Sequence, residues 1–160
     1  MARPSGEVYS LVGDGSYLMM NSDIYASVLS GHKMILVVCD NEGYAVIERL
    51  QTSQGGASYN NMLADSTGTG TSARVDFRAH AEALGALTHE VTSLEEFSQA
   101  LEKARAADRT TVIVTTVRAK DFTEGGAFWQ VGVPEVSERE SVVAARTAMD
   151  EGLKAQRPGV

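Results

Sequence analysis

The chain has 160 residues, enough for one domain with a substantial core and too few for two comfortable ones. A hydrophobic content of 43% and a mean hydropathy of −0.13 exclude a disordered chain, and a net charge of −7 argues against nucleic-acid or anionic-membrane partners. No apolar run nears the roughly 20 residues needed to span a bilayer, and the opening MARPSGEVYS lacks the apolar core of a signal peptide. The single cysteine, Cys39, lies inside an apolar run, so there is no disulfide framework; it reads as a buried thiol in a cytoplasmic protein.

In chain order, residues 7–12 (EVYSLV) read as a strand that stops at Gly13-Asp14-Gly15-Ser16. Residues 20–30 carry Ile24, Val28 and Leu29 at helical spacing, with Asn21 or Ser22 as N-cap and Gly31 as stop. MILVVC, 34–39, is a continuous apolar run, as in a strand covered on both faces, and a short helix is expected over 44–50. Residues 51–74 are rich in Gly, Ser, Thr and Asn; so long a segment is either a lid over a site or a disordered surface loop. Asp76 then caps a helix bearing Phe77, Ala81 and Leu84 and ended by Gly85, and a short strand follows at 88–91. Ser93 to Glu96 forms a capping box ahead of the apolar stripe Leu94, Phe97, Leu101 and Ala104. TTVIVTTV, 110–117, is a β-branched buried strand and 118–136 looks irregular. Ser137 and Glu140 suggest a second capping box before a helix with Val142, Ala145, Met149 and Leu153 on one face.

Alternating strands and helices of this kind predict an α/β fold, a three-layer parallel sheet with helices on both faces. Right-handed crossovers deliver every strand's C-terminal end to one edge, where ligands of open sheets bind. Asp14 follows the first strand and Asn41 the second, with residues 15–40 between them, about the length of one helical crossover. Both offer hard oxygen ligands that suit Mg²⁺ or Ca²⁺ better than zinc. Gly13 and Gly15 would let the backbone turn tightly and approach a ligand. Ser16 and its neighbours would present N–H groups to a phosphate. Taken alone, Gly-Asp-Gly is also what an ordinary turn looks like.

The stretch GDGSYLMMNSDIYASVLSGHKMILVVCDNEGY, 13–44, resembles the signature of thiamine-diphosphate-dependent enzymes: Gly-Asp-Gly, a crossover, then Asn at the end of an apolar strand. The resemblance implies that the side chains of Asp14 and Asn41 and the carbonyl of Gly43 hold Mg²⁺, which holds the diphosphate of the cofactor, with Gly13, Gly15, Ser16 and Tyr44 also at the cofactor. Many members carry Asn-Asn at the strand end; here the first position is Asp40. The segments ERLQTSQGGASYNN, VDFRAHAEALGA, ARAADRTTVIV and GGAFWQVGVPEVSERESVVAAR are similar to the C-terminal part of the trihydroxycyclohexane-dione hydrolases of myo-inositol catabolism. That likeness implies a hydrolase that cleaves a carbon–carbon bond of a cyclic diketone derived from a polyol. It implies a homodimer or homotetramer, with the cofactor-activating Glu on a pyrimidine-binding domain outside this chain; no catalytic residue is assigned within it. Members carry a helix and a Gly-rich segment before the first strand, where this chain has MARPSGE. Residues 1–160 are therefore expected to be a partial, N-terminally truncated C-terminal domain (the diphosphate side) without turnover alone. An acetolactate-synthase-like or decarboxylating enzyme, or a non-catalytic cofactor-binding module, are the alternatives.

Other residues weigh less. His32 marks a turn, and neither His80 nor His89 has metal-ligand spacing. Glu48 lies where some decarboxylases have a catalytic Glu, but ungapped counting places Ile47 there, and Glu48 reads as a surface or ion-pairing residue. Val46 and Gln51 could face substrate, and Tyr59, Asn60 and Asn61 could meet substrate hydroxyls. Trp129 with Phe128 reads as a packing anchor.

Overall fold

The computed structural model describes residues 6–65, 74–121 and 132–156. Among them lie four strands, β1 (Tyr9–Gly13), β2 (Ile35–Asp40), β3 (Leu87–Val91) and β4 (Thr111–Thr116). The helices are α1 (Asp14–Met20), α2 (Ser22–Ser30), α3 (Ala45–Ser53), α4 (Phe77–Ala83), α5 (Leu94–Ala106) and α6 (Glu140–Ala155). The strands form one parallel sheet in the order β1-β2-β4-β3, so the expected α/β architecture is present.

The two apolar runs become the two central strands because only a central strand can bury both of its faces. Alternation within them divides the core. Leu36, Val38, Val112 and Val114 point to one face, where Tyr17 of α1, Ile24 of α2, and Phe77 and Ala81 of α4 cover them. Ile35 and Ile113 point to the other, against Ala100 and Ala104 of α5, with Phe97 and Leu101 packed alongside. The register pairs Leu36 with Val112 and Val38 with Val114, so each layer is continuous across the strands. The buried Thr110 is satisfied: its Oγ1 accepts the Met34 N–H at 3.1 Å and lies 2.7 Å from Ser27 Oγ.

Caps explain three of the boundaries. Gly31 ends α2 in the left-handed region at φ 68°, Asp76 accepts the Ala79 N–H at 2.8 Å, and Ser93 accepts the Glu96 N–H at 3.1 Å. The Glu96 carboxylate reaches back one residue further than a capping box requires, to the N–H and hydroxyl of Thr92.

Four expectations need correction. The helix expected to begin at residue 20 is preceded by α1, which starts directly at Asp14; Gly-Asp-Gly reads as a turn in sequence, yet its second half is the first turn of a helix that buries Tyr17. Ser137 does not cap α6: its hydroxyl accepts the N–H of Arg139, two residues on, at 3.3 Å, and the helix begins after Arg139 without a side-chain cap. Leu94 is 85% exposed at the first position of α5, where it points away from the sheet, and Leu29 is 73% exposed on α2. Residues 51–74 are not wholly irregular, because α3 continues to Ser53 and a 3-10 turn forms over Leu63–Asp65. The remainder of that segment, like Phe128 and Trp129, lies partly or wholly outside the described residues.

The two apolar classes should separate in urea denaturation. Ile113→Ala, at a fully buried position, should cost about 2–5 kcal/mol. Leu94→Ala should stay within about 0.5 kcal/mol. Equal losses would contradict the placement of Leu94.

Candidate functional site

The site is set by neighbouring strands. β1 and β2 pair in register from Tyr9 with Ile35 to Gly13 with Cys39, so both chains leave the sheet at the same level, Asp14 into α1 and Asp40 into the turn 41–44. Asp14 is buried on the first turn of α1, where the exposed N–H groups favour a carboxylate. Its Oδ2 accepts the Gly43 N–H at 2.8 Å, which draws the turn over the end of β1.

That contact brings three oxygen-bearing groups together. With its amide oxygen inward, Asn41 places this atom 2.7 Å from the Gly43 carbonyl oxygen and 3.0 Å from Asp14 Oδ1. Turned over, the amide nitrogen donates to both. The two orientations suit two states. Without a cation the nitrogen belongs inward, because three oxygens this close repel; beside a cation the oxygen does. The spacings are ordinary hydrogen-bond lengths for the inward nitrogen, and they also fall near the ligand-to-ligand edge of about 2.9 Å in an octahedron with Mg–O distances of about 2.0–2.1 Å. Burial pushes the Asp14 carboxyl above its usual range, an effect partly offset by N–H donation from Gly43 and Gly15 and reinforced by Asp40 nearby. Ionised and without a positive partner, Asp14 is therefore a liability that grows as pH rises through its raised pKa, and a cation beside it would offset it.

The glycines serve differently from expectation. Gly13 has φ −74°, open to any residue, and a Cβ there would meet only the Asn41 side chain at 3.5 Å. Gly15 is needed for packing: a Cβ would lie 2.6 Å from Cδ1 of the Tyr44 ring. Gly43 is needed twice over, since its φ is 147° and a Cβ would lie 2.5 Å from the Asn61 carbonyl oxygen. Tyr44 donates its N–H to that same carbonyl at 2.7 Å, and Ser16 is exposed on the first turn of α1.

The remaining candidates scatter. Glu48, read as a surface or ion-pairing residue, is half-buried and accepts a hydrogen bond from the uncharged Asn61 Nδ2 at 3.1 Å. The same Nδ2 donates to Gln51 Oε1 at 2.9 Å, so Asn61 and Gln51 brace the loop against α3. Val46 and Tyr59 are 63% and 76% exposed, and Asn60 is an exposed turn residue at φ 51°. His80 lies 2.8 Å from the Tyr17 hydroxyl, which burial pushes up to about 12, and is a core partner of that ring. His32 is exposed and lies 3.0 Å from Ser30 Oγ. Cys39 is half-buried, and burial pushes its thiol up, away from reactive thiolate.

Sequence reasoning missed the support around Asn41. Asp40 is buried, accepts the Glu42 N–H at 3.0 Å and pairs with Arg74 at 3.0 Å; Glu42 has φ 64° and pairs with Arg74 at 2.9 Å. The acidic residue in place of the first Asn was the available signal, since a buried carboxylate needs a cation. Among the described residues no cluster of three His, Cys, Asp or Glu could hold a metal; the oxygen trio has one carboxylate only.

Residues 1–115 match the family model described as "Thiamine pyrophosphate enzyme, C-terminal TPP binding domain". The chain belongs to this family. It is 38% identical over 158 residues to the 3D-(3,5/4)-trihydroxycyclohexane-1,2-dione hydrolase of Bacillus licheniformis, and 37% identical to that of Bacillus subtilis. Each match covers 98% of this chain and 24% of the relative, so the chain spans about a quarter of the length of these relatives. Among solved structures, the benzoylformate decarboxylase of Polynucleobacter necessarius matches with TM-score 0.62 and 27% identity, over 71% of this chain and 20% of that one. The thiamine diphosphate-dependent 4-hydroxybenzoylformate decarboxylase of Rhodococcus jostii RHA1 shares the fold, with TM-score 0.64 and 21% identity over 73% of this chain and 21% of that one. Among the described residues no helix is long and apolar enough to cross a membrane.

The glycines give a graded prediction. Gly43→Ala combines backbone strain with a clash and should cost more than about 3 kcal/mol in urea denaturation. Gly15→Ala should cost about 1–3 kcal/mol as the Tyr44 ring yields. Gly13→Ala should be within about 0.5 kcal/mol of wild type. A Gly13 variant as damaged as Gly43→Ala would contradict the geometry.

Proposed function

We propose that residues 1–160 are the diphosphate-side, C-terminal portion of a thiamine-diphosphate- and Mg²⁺-dependent hydrolase that opens trihydroxycyclohexane-dione in myo-inositol catabolism. One observation carries the cofactor part: Asp14, Asn41 and Gly43 converge, with the Asn41 side-chain amide 2.7 Å from the Gly43 carbonyl oxygen and 3.0 Å from Asp14 Oδ1, in a chain of this family. The donor set fits. Three hard oxygens with a single carboxylate leave a divalent cation with unneutralised charge and open positions for phosphate oxygens. Asp14 anchors the cation from α1, and Asn41 and Gly43 hold it from the turn after the adjacent strand β2. Tyr44, packed on Gly15, walls the site on the α1 side.

Bound thiamine diphosphate supplies a carbon nucleophile and an electron sink for breaking a bond beside a ketone. This chain's residues fix the cofactor's phosphate end. The group that activates its ring belongs to a pyrimidine-binding domain outside these residues. Exposed apolar surface supports a larger assembly, a homodimer or homotetramer of the longer protein. β1 is an edge strand with Leu11 71% exposed, and Met19 and Met20 of α1 are 70% and 62% exposed. The substrate assignment is supported by identity along nearly the whole chain to hydrolases of that name. The likeness to a benzoylformate decarboxylase favours a decarboxylating enzyme as the second reading, over a shorter stretch and at lower identity.

Calorimetric titration of thiamine diphosphate into the chain tests the assignment. Binding should require Mg²⁺, and Asp14→Ala should weaken it by more than about 100-fold, beyond the loss typical of outer-sphere changes. Binding that is indifferent to Mg²⁺, or equal in wild type and variant, would contradict it.

A further inference from the structure

We propose that Arg74 is a positioning residue for the metal ligand Asn41, acting through the carboxylates on either side of it; the proposal rests on the reading of Asp14, Asn41 and Gly43 as a cation site. Asn41 stands between Asp40 and Glu42, and the Arg74 guanidinium grips both. Nη2 lies 3.0 Å from Asp40 Oδ2, and Nη1 lies 2.9 Å from Glu42 Oε1. The two grips differ in kind. Asp40 is fixed already: its side chain is 8% exposed, its carbonyl continues the sheet by accepting the Val117 N–H at 2.8 Å, and its Oδ1 accepts the Glu42 N–H at 3.0 Å. Glu42 is half-exposed and sits at φ 64°, a conformation that a residue with a Cβ adopts at a cost. Something must hold it there, because Glu42 leads directly into Gly43, whose carbonyl belongs to the oxygen trio.

Arg74 does so by tying the half-exposed end of the turn to its buried end. The backbone adds a second tie, since the Glu42 carbonyl accepts the Leu63 N–H at 2.8 Å. The planar two-pronged guanidinium can span two carboxylates, whereas an ammonium acts as a point charge. The arrangement therefore depends on shape as well as charge.

Shape and charge make opposite predictions, and this gives the test its power. Arg74 adds positive charge beside a cation site, so its loss through Coulomb effects alone would tighten cation binding. Loss of a positioning contact would weaken it. Tb³⁺ is a suitable probe for a hard oxygen site, since Tyr44, next to Gly43, can sensitise its luminescence. The 160-residue chain is titrated with Tb³⁺, with Mg²⁺ as competitor, for wild type, Asp14→Ala, Arg74→Lys and Arg74→Met. Circular dichroism and cation-free melting of each variant establish that it is folded. Wild type should give a Mg²⁺-displaceable signal that Asp14→Ala lacks. Arg74→Lys keeps the charge and should bind about ten-fold more weakly, and Arg74→Met should be weaker despite its more negative site. Unchanged affinity in Arg74→Lys, or tighter binding in Arg74→Met, would overturn the positioning role alone. A wild-type signal identical to that of Asp14→Ala would overturn the cation site itself and the proposal with it.

Discussion

The hydrogen bond from the Gly43 N–H to the Asp14 carboxylate is the contact on which the site depends. Two adjacent parallel strands bring their ends level, but that alone leaves Asp14 and Asn41 on separate loops. The bond closes the gap by folding the second loop back over the first. It also explains why the loop must contain a glycine at 43, where the backbone passes beside Asn61 in a conformation closed to other residues. The buried carboxylate is costly in the absence of a positive partner, and two N–H groups lower that cost without removing it. In the proposed function a divalent cation would complete what the hydrogen bonds begin.

Around this contact the protein distributes support over several elements. Tyr44 fills the space that Gly15 leaves, so α1 and the turn after β2 fit together as two halves of one surface. Asn61 receives the Tyr44 N–H and spends its side chain on Glu48 and Gln51, fixing the following loop to α3. Arg74 ties together the two carboxylates that flank Asn41. None of these residues needs to touch a reacting atom. Their common effect is to hold the Asn41 side-chain amide within about 3 Å of both the Asp14 carboxylate and the Gly43 carbonyl, a convergence of hard donors of the kind a hard cation requires of a protein site.

Much of this was legible in the amino-acid order. The apolar runs at 34–39 and 110–117 could bury both faces only as central strands, and they are the two central strands. Asp14 and Asn41 were legible as neighbours because one helical crossover separates them. What escaped was contact made by chemistry without periodicity. Arg74 stands in a polar stretch with no pattern, and only the burial of Asp40 calls for it. Glycine at 15 looked like a backbone requirement and proved to be a packing one, since its reason is a ring 29 residues further along. Ser137 failed as a cap because a hydroxyl that can reach either two or three residues ahead carries no sequence mark of its choice.

The central claim is that Asp14, Asn41 and the Gly43 carbonyl hold one divalent cation against a diphosphate. A crystal structure of the chain with Mn²⁺ and thiamine diphosphate, with anomalous data at the manganese edge, tests it most directly. The account predicts a single strong peak bonded to all three residues, with the Asn41 amide oxygen inward and two phosphate oxygens on the same ion. A cofactor-bound structure in which the ion lies elsewhere, or in which the Asn41 amide nitrogen still faces Asp14 and Gly43, would contradict it.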